Sequence, residues 1–212
     1  RAQPISRSTS AIYVITAEDI QLAGVQKLDD ILRLVPGMDV AHVSTAGGIF
    51  FAFSARGFAR PSSEKMQVLV DGRPLYNPFR AGVELSIEPI FHENIERIEV
   101  IRGSGGVLWG VNAMNGVVNI ITKKAADTQG GLLSGGFANR ETGQAFLRYG
   151  ESTGPLSWRL SIGANHDNGF GSKHGKAIVD GQEGQNFSAR IDYHIDDDTT
   201  LYASFGHRNS EL

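Results

Sequence analysis

Glu96, Arg97, Glu99 and Arg102 place charges of both signs along one alternating segment, Ile95 to Arg102. Such side chains on a strand either pair with charges elsewhere or stay solvated. Just beyond, Gly103, Gly105 and Gly106 offer the bare backbone of a phosphate cradle. No Gly-Lys-Ser/Thr follows, however, and the next residues are Val107 and Leu108, so tight turns are the better reading. The six histidines show no zinc spacing and the chain has no cysteine. Asp196 to Asp198 lacks the alternating ligand positions of a calcium loop and reads as a solvated turn. No Ser/His/Asp set can be defended from spacing. The sequence therefore assigns no catalytic residue, metal or cofactor, and the chain does not read as an enzyme.

The charged segment opens the stretch Asn94 to Lys124, around which the chain is organised. A strand over Ile95 to Arg102 meets the glycine cluster, then a turn around Trp109, Gly110 and Asn112, then a second apolar strand, Val117 to Thr122. Strands joined by glycine-rich backbone can pack closely with little side-chain bulk between them. At 212 residues and 41% hydrophobic content the chain can bury a core in one large or two small domains. No apolar run approaches the roughly 18 residues of a spanning helix, so any membrane role falls to strands. A net charge of -3 and a pI near 6.1 give no reason to expect nucleic acid as a partner. Arg1 begins a polar segment without the apolar core of a signal peptide, so an export signal is expected to have been removed or never present.

Residues 1 to 11 read as an irregular lead-in and Tyr13 to Ile15 as a short strand. Thr16 is a natural N-cap with Glu18 and Asp19 in the first turn of a helix that stops near Gly24. Leu28, Ile31, Leu32 and Val35 give one apolar face to a second helix, about Gln26 to Val35, ended by Pro36-Gly37. Strands are then expected at Asp39 to Val43, Ala52 to Gly57 and Gln67 to Val70, the last closed by the turn signal Asp71-Gly72. Counting reversals puts the loops Ser44 to Phe51 and Leu75 to Gly82 at one end of the sheet, sharing a surface.

After Thr128 the pattern changes to alternation. Trp158, Leu160, Ile162 and Ala164 oppose Ser157, Arg159, Ser161 and Asn165. Phe187, Ala189, Ile191, Tyr193 and Ile195 oppose Ser188, Arg190, Asp192 and His194, and Leu201, Ala203 and Phe205 oppose Thr200, Tyr202 and Ser204. Ala145, Leu147 and Tyr149 oppose Gln144, Phe146 and Arg148 less cleanly, and Leu132 to Ala138 is the weakest segment. Period-two strands of about 9 to 11 residues suit a transmembrane β-barrel, although a soluble sandwich alternates too. No lysine or arginine falls on the apolar faces, and loop lengths favour the barrel. Ser152 to Pro155 and Asp196 to Thr199 are short and Asp167 to Gln185 is long, which fits short inner turns alternating with long outer loops.

At this point the sequence resembles the TonB-dependent outer-membrane receptors. Val14-Ile15-Thr16 with Glu18-Asp19-Ile20 is similar to the opening of their plug, and Val35-Pro36-Gly37 after Leu28 to Leu32 to its helix end. Arg56-Gly57-Phe58, Leu69-Val70-Asp71-Gly72, Ile95 to Gly103, Trp109-Gly110 and Asn115 to Lys123 then follow in family order. The resemblance implies an α+β plug domain with a small mixed β-sheet over residues 1–128. The first antiparallel strands of a transmembrane β-barrel follow over 129–212, about five and so incomplete against the roughly 22 strands of a whole barrel. The chain is accordingly expected to be a fragment of a receptor.

The resemblance further implies an outer-membrane location and energised uptake of a scarce nutrient, commonly a ferric siderophore or cobalamin. Its partners would be the TonB energy transducer, the nutrient and membrane lipid, although no convincing TonB box stands before Tyr13. By the same resemblance the two loops are the plug's outward apices, with Phe50, Phe51, Tyr76, Asn77, Phe79 and Arg80 as ligand contacts. Aromatic faces would pack on a large ligand while Arg80 pairs with an anionic group. Glu96, Arg97, Glu99 and Arg102 become a plug-barrel latch, pairing with charges on the barrel's polar faces. The alternative is a free-standing periplasmic binding or signalling module built on a plug-like fold.

Overall fold

The computed structural model describes residues 11–25, 27–45, 48–55, 63, 65–79, 82–83, 85, 88–103, 109–110, 112–138, 142–168 and 182–211, with backbone alone at 29, 42–45, 48–51, 138, 182 and 211. The lead-in over 1–10, the motif at 56–58, Arg80 and most of the glycine cluster lie outside these residues. The chain divides into two compact units: Arg1–Ser86 with His92–Thr122, and Ile87–Phe91 with Lys123–Leu212.

The first unit opens with β1 (Ala11–Thr16), which runs directly into α1 (Ala17–Ala23). The Thr16 hydroxyl accepts the Asp19 N–H at 3.1 Å while the Asp19 carboxylate accepts the Thr16 N–H at 2.8 Å, closing the expected capping box. Gly24, with φ of 61°, ends the helix in the left-handed conformation that favours glycine. The second helix is shorter than its periodicity predicts. α2 (Leu28–Ile31) tightens into a 3-10 turn, Leu32–Leu34, and Val35 is already extended. Ile31, Leu32 and Val35 are nevertheless buried as the apolar face requires, because the tighter turn keeps them on one side.

β2 (Met38–Thr45) and β3 (Gly48–Ala55) pair antiparallel from Met38↔Ala55 to Thr45↔Gly48. The expected loop Ser44 to Phe51 is thus corrected: only residues 46–47 separate the strands, and Phe50 and Phe51 lie within β3. The β-favouring run Ile49-Phe50-Phe51 explains the extension. β4 (Met66–Val70) and β5 (Arg73–Pro74) are joined by Asp71 and Gly72, both at positive φ, 47° and 83°. This is the two-residue turn that the Asp-Gly pair predicts. Two further pairs of residues, β6 (Tyr76–Asn77) and β7 (Gly82–Val83), form a small antiparallel ladder. β8 (Ile95–Arg102) and β9 (Gly116–Thr122) complete the unit.

The central sheet has the order β1-β8-β9-β4-β5 and is mixed, since β4 runs parallel to β9 while the other pairs are antiparallel. A register shift between Ile95 and Arg97 lets Ile95, Ile98 and Val100 all face the core although the first two are three residues apart. Gly116 on β9 permits a close approach to β8. A Cβ there would stand 2.4 Å from the Ile101 carbonyl oxygen.

In the second unit a 3-10 turn, Ala125–Thr128, precedes β10 (Gly130–Ala138), β11 (Thr142–Thr153), β12 (Leu156–Asp167), β13 (Gln182–His194) and β14 (Thr200–Glu211). Each strand pairs antiparallel with the next, in sequence order. The weak segment near Leu132 is therefore a full strand. In β12 and β13 the burial is inverted relative to a water-soluble sheet. Ser157, Arg159 and Ser161 of β12 and Arg190 and Asp192 of β13 are buried, whereas Leu160, Ile162, Ile191 and Tyr193 are exposed. Phe146, the aromatic that interrupts the polar face of β11, is buried against the Phe91 ring, 4.8 Å between centroids. That contact accounts for the imperfect alternation of its strand.

Candidate functional site

The sequence-predicted site residues fall into separate places. Leu75 anchors one of them, buried and donating its N–H to the Val68 carbonyl at 3.0 Å. The Asp71-Gly72 turn is a reversal that the sequence count omitted, so the segment after Leu75 starts back alongside β4. From there the chain turns between β6 and β7. Asn77 Oδ1 accepts the Phe79 N–H at 3.0 Å, a local side-chain turn. Phe79 is thereby held 99% exposed, with Tyr76 38% exposed beside it in sequence. An aromatic presented to this extent contributes nothing to the core and is free to contact a ligand. Arg80 and the side chains of Phe50 and Phe51 lie outside the described residues.

The charge series on β8 is paired within its own unit. Arg97 Nε donates to Glu99 at 2.8 Å and its Nη1 to Glu96, while Asn119 Nδ2 on β9 donates to the other Glu99 oxygen at 3.2 Å. The hydrogen bond to Glu99 raises the Arg97 guanidinium further above its ordinary value, so it stays charged throughout the accessible pH range. Arg102 reaches across the unit instead. Its Nη1 donates to the Pro36 carbonyl at 2.5 Å, beside the left-handed Gly37, while its buried Nε has no hydrogen-bond partner among the described residues.

Two further positions were not singled out from the sequence. Asp71, besides making its turn, accepts the Thr122 N–H at 2.8 Å and the Thr122 hydroxyl at 2.7 Å. On the polar face of the second unit, Asp192 is 1% exposed and accepts the Ala125 N–H at 2.5 Å and Arg190 Nε at 2.8 Å. Arg159 Nη1 donates to the Lys123 carbonyl at 2.9 Å, and Arg190 stacks over the Tyr202 ring, 4.8 Å from its centroid. The sequence signal for these residues was their place on the polar side of alternating strands. A buried charge on such a face needs a partner, and here the partners are the adjacent chain segment and each other. Among the described residues no three His, Asp or Glu side chains converge as metal ligands.

Comparison with known proteins bears on what these features belong to. The sequence profile of the TonB-dependent Receptor Plug Domain matches residues 4–117, more than half of the chain. The vitamin B12 transporter BtuB of Vibrio vulnificus is 31% identical over 206 residues, 95% of this chain and 32% of its own length. The iron-regulated outer membrane virulence protein of Vibrio cholerae is 36% identical over 172 residues, 76% of this chain and 25% of its own. The crystal structure of the ferric yersiniabactin uptake receptor FyuA from Yersinia pestis superposes with a TM-score of 0.73 at 20% identity, covering 96% of this chain and 32% of that one. The chain thus spans about a third of the length of such relatives. The ordered motifs, the mixed sheet and the matching profile together place this chain in the TonB-dependent receptor plug-domain family.

Proposed function

We propose that the chain supplies the plug and the first barrel strands of an outer-membrane receptor that imports a scarce nutrient, a cobalamin or a ferric siderophore, with energy delivered through TonB. The observation that carries this reading is the inverted burial of β12 and β13. A sheet with Leu160, Ile162, Ile191 and Tyr193 outward and Arg159, Arg190 and Asp192 covered suits lipid on one side and a filled lumen on the other. A free-standing periplasmic module would leave that apolar face in water. The names of the relatives point to cobalamin and iron as cargo.

In this reading Tyr76, Asn77 and Phe79, with Phe50, Phe51 and Arg80, contact the nutrient at the plug's outer surface. Glu96, Arg97, Glu99 and Arg102 form the latch that holds the plug until TonB acts. No bond is made or broken in the cargo. The test is accumulation of radiolabelled cyanocobalamin and ferric siderophores by cells carrying the full-length gene, with and without a protonophore. Gradient-dependent uptake of one of them is expected. Binding to the cell surface without accumulation in either condition would overturn transport.

A further inference from the structure

The outward face of the second unit's sheet is not divided along its register. Directly paired residues form cross-strand rows, one of which runs Leu133, Leu147, Ile162, Phe187 and His207. Its first four members are exposed and apolar, and the fifth is an exposed imidazole. Two rows further along β10, Phe137 is 96% exposed, although its row also holds His166 and Glu183. Nearer the turn between β11 and β12, Glu151 shares a row with Trp158, Ile191 and Ala203. The outward polar side chains therefore gather at two opposite corners. The apolar area between them runs diagonally across the strands.

We propose that this diagonal area is the chain's contact with bilayer hydrocarbon, an oblique belt crossing β10–β14. The proposal rests on the outer-membrane reading and specifies which residues meet lipid. One margin follows Phe137, Ala145, Ala164, Phe187 and Phe205, and beyond it stand His166, Gln185 and His207. The other follows Tyr149, Leu156 and Tyr193, with Glu151 beyond it. No described outward side chain between the margins is charged. Phe205 shares its row with Gly131, six residues before Phe137, so the first margin shifts by six residues over four strand steps. At about 3.4 Å per residue that is about 5 Å per step, against a strand spacing of about 4.8 Å, which makes a tilt of about 45°. Transmembrane barrel strands tilt by about 35 to 45°, so the chemistry of the margins and the geometry of such strands agree. An imidazole or carboxylate is costly to hold in hydrocarbon. The tilt carries His207 and Glu151 out of it while other members of their rows stay inside.

Nitroxide labels on single cysteines in the full-length protein, reconstituted into phosphatidylcholine vesicles, test it. Labels at Phe137→Cys, Ile162→Cys and His207→Cys are read by collision with oxygen, which concentrates in hydrocarbon, and with a water-soluble nickel chelate. Nickel collisions are expected to be lost at Phe137 and Ile162 and retained at His207. A belt square to the strands predicts the opposite order, because the Phe137 row lies further out than the His207 row. A His207 label shielded from nickel as well as or better than the Phe137 label overturns the proposal. Leu147→Cys against His207→Cys, two members of one row, decides the matter if Phe137→Cys does not insert: equal shielding overturns the belt. Ile162 separates the two readings. Its label shielded while Phe137 is open removes the oblique belt alone, whereas free nickel access at Ile162 removes the membrane reading with it.

Discussion

Arg159 and Arg190 stand directly opposite each other across β12 and β13, two like charges in register on a buried face. Like charges so placed destabilise a strand pair unless each is compensated. Arg190 is compensated by Asp192 and the Tyr202 ring, Arg159 by the Lys123 carbonyl. Asp192→Ala removes the carboxylate partner of Arg190 and frees the Ala125 N–H, at a cost of about 3 to 5 kcal/mol. Asp192→Leu combined with Arg190→Leu should cost less than Asp192→Ala, because a removed pair leaves no orphaned charge. Denaturant titration of the folded barrel, read by its heat-modifiable mobility, checks the order.

The outward face of β12 distinguishes lipid from water. Leu160 lies mid-strand and is 44% exposed. Leu160→Arg is expected to cost about 2 to 4 kcal/mol of folding free energy in bilayers, against about 0.5 kcal/mol for an ordinary surface position in water. Refolding yield into lipid vesicles as a function of urea measures it, and a cost below 1 kcal/mol would count against membrane insertion.

Pro89 and Phe91 sit over glycines of the second unit's sheet. A Cβ at Gly163 would stand 2.6 Å from the Phe91 ring, and one at Gly206 would stand 2.4 Å from Pro89 Cγ. Gly163→Ala should destabilise by about 1 to 3 kcal/mol through overpacking. Adding Phe91→Ala to Gly163→Ala is expected to recover part of that loss, since the clash is with a side chain. Gly150→Ala has no such rescue because its neighbours, at 2.6 and 2.9 Å, are carbonyl oxygens. Thermal unfolding of the single and double variants gives the comparison.

Acid should loosen the start of α1. The Thr16 N–H and then its hydroxyl hold the Asp19 carboxyl below its ordinary value. A carboxyl lowered on folding stabilises at pH values above its unfolded-state pKa, and that stabilisation is lost as pH falls through the folded-state value. The loss therefore begins below about pH 4 and is absent at neutrality. Thr16→Ala should cost about 1 kcal/mol at neutral pH and remove only the hydroxyl's smaller share of this acid-dependent component, because alanine keeps the main-chain N–H. Exchange of the Asp19 amide between pH 3 and 7 reads both effects.

Phe79 separates binding from folding. At 99% exposure, Phe79→Ala should leave the melting temperature unchanged within error. If the aromatic packs on the nutrient, its loss should weaken binding about tenfold or more, as for an anchor at an interface. Equilibrium binding of the transported ligand to outer membranes is the measurement, and unchanged affinity would remove Phe79 from the proposed contact surface.

Local signals were legible wherever the chemistry is local. Thr16 and Asp19 announce a capping box, Asp71-Gly72 a two-residue turn, and the alternation from Gln144 to Phe205 a set of two-faced strands, and each forms as read. The length of the second helix and the loop before Phe51 were misjudged for local reasons, a tightened last turn and a run of β-favouring residues at a hairpin's tip. The count of reversals omitted the Asp71-Gly72 turn, after which Leu75 runs back beside Val68.

Period-two patterning fixed which residues share a face, since successive side chains on a strand must alternate. It could not say which face would be covered, because that depends on what lies against the sheet. Tertiary structure alone decided that the polar face of β12 and β13 is the buried one, that Asp192 caps the main chain 67 residues before it, that Asp71 holds Thr122 and that Arg159 holds the Lys123 carbonyl. Those contacts join residues far apart in the chain, and neither propensity nor spacing carries information about such distances.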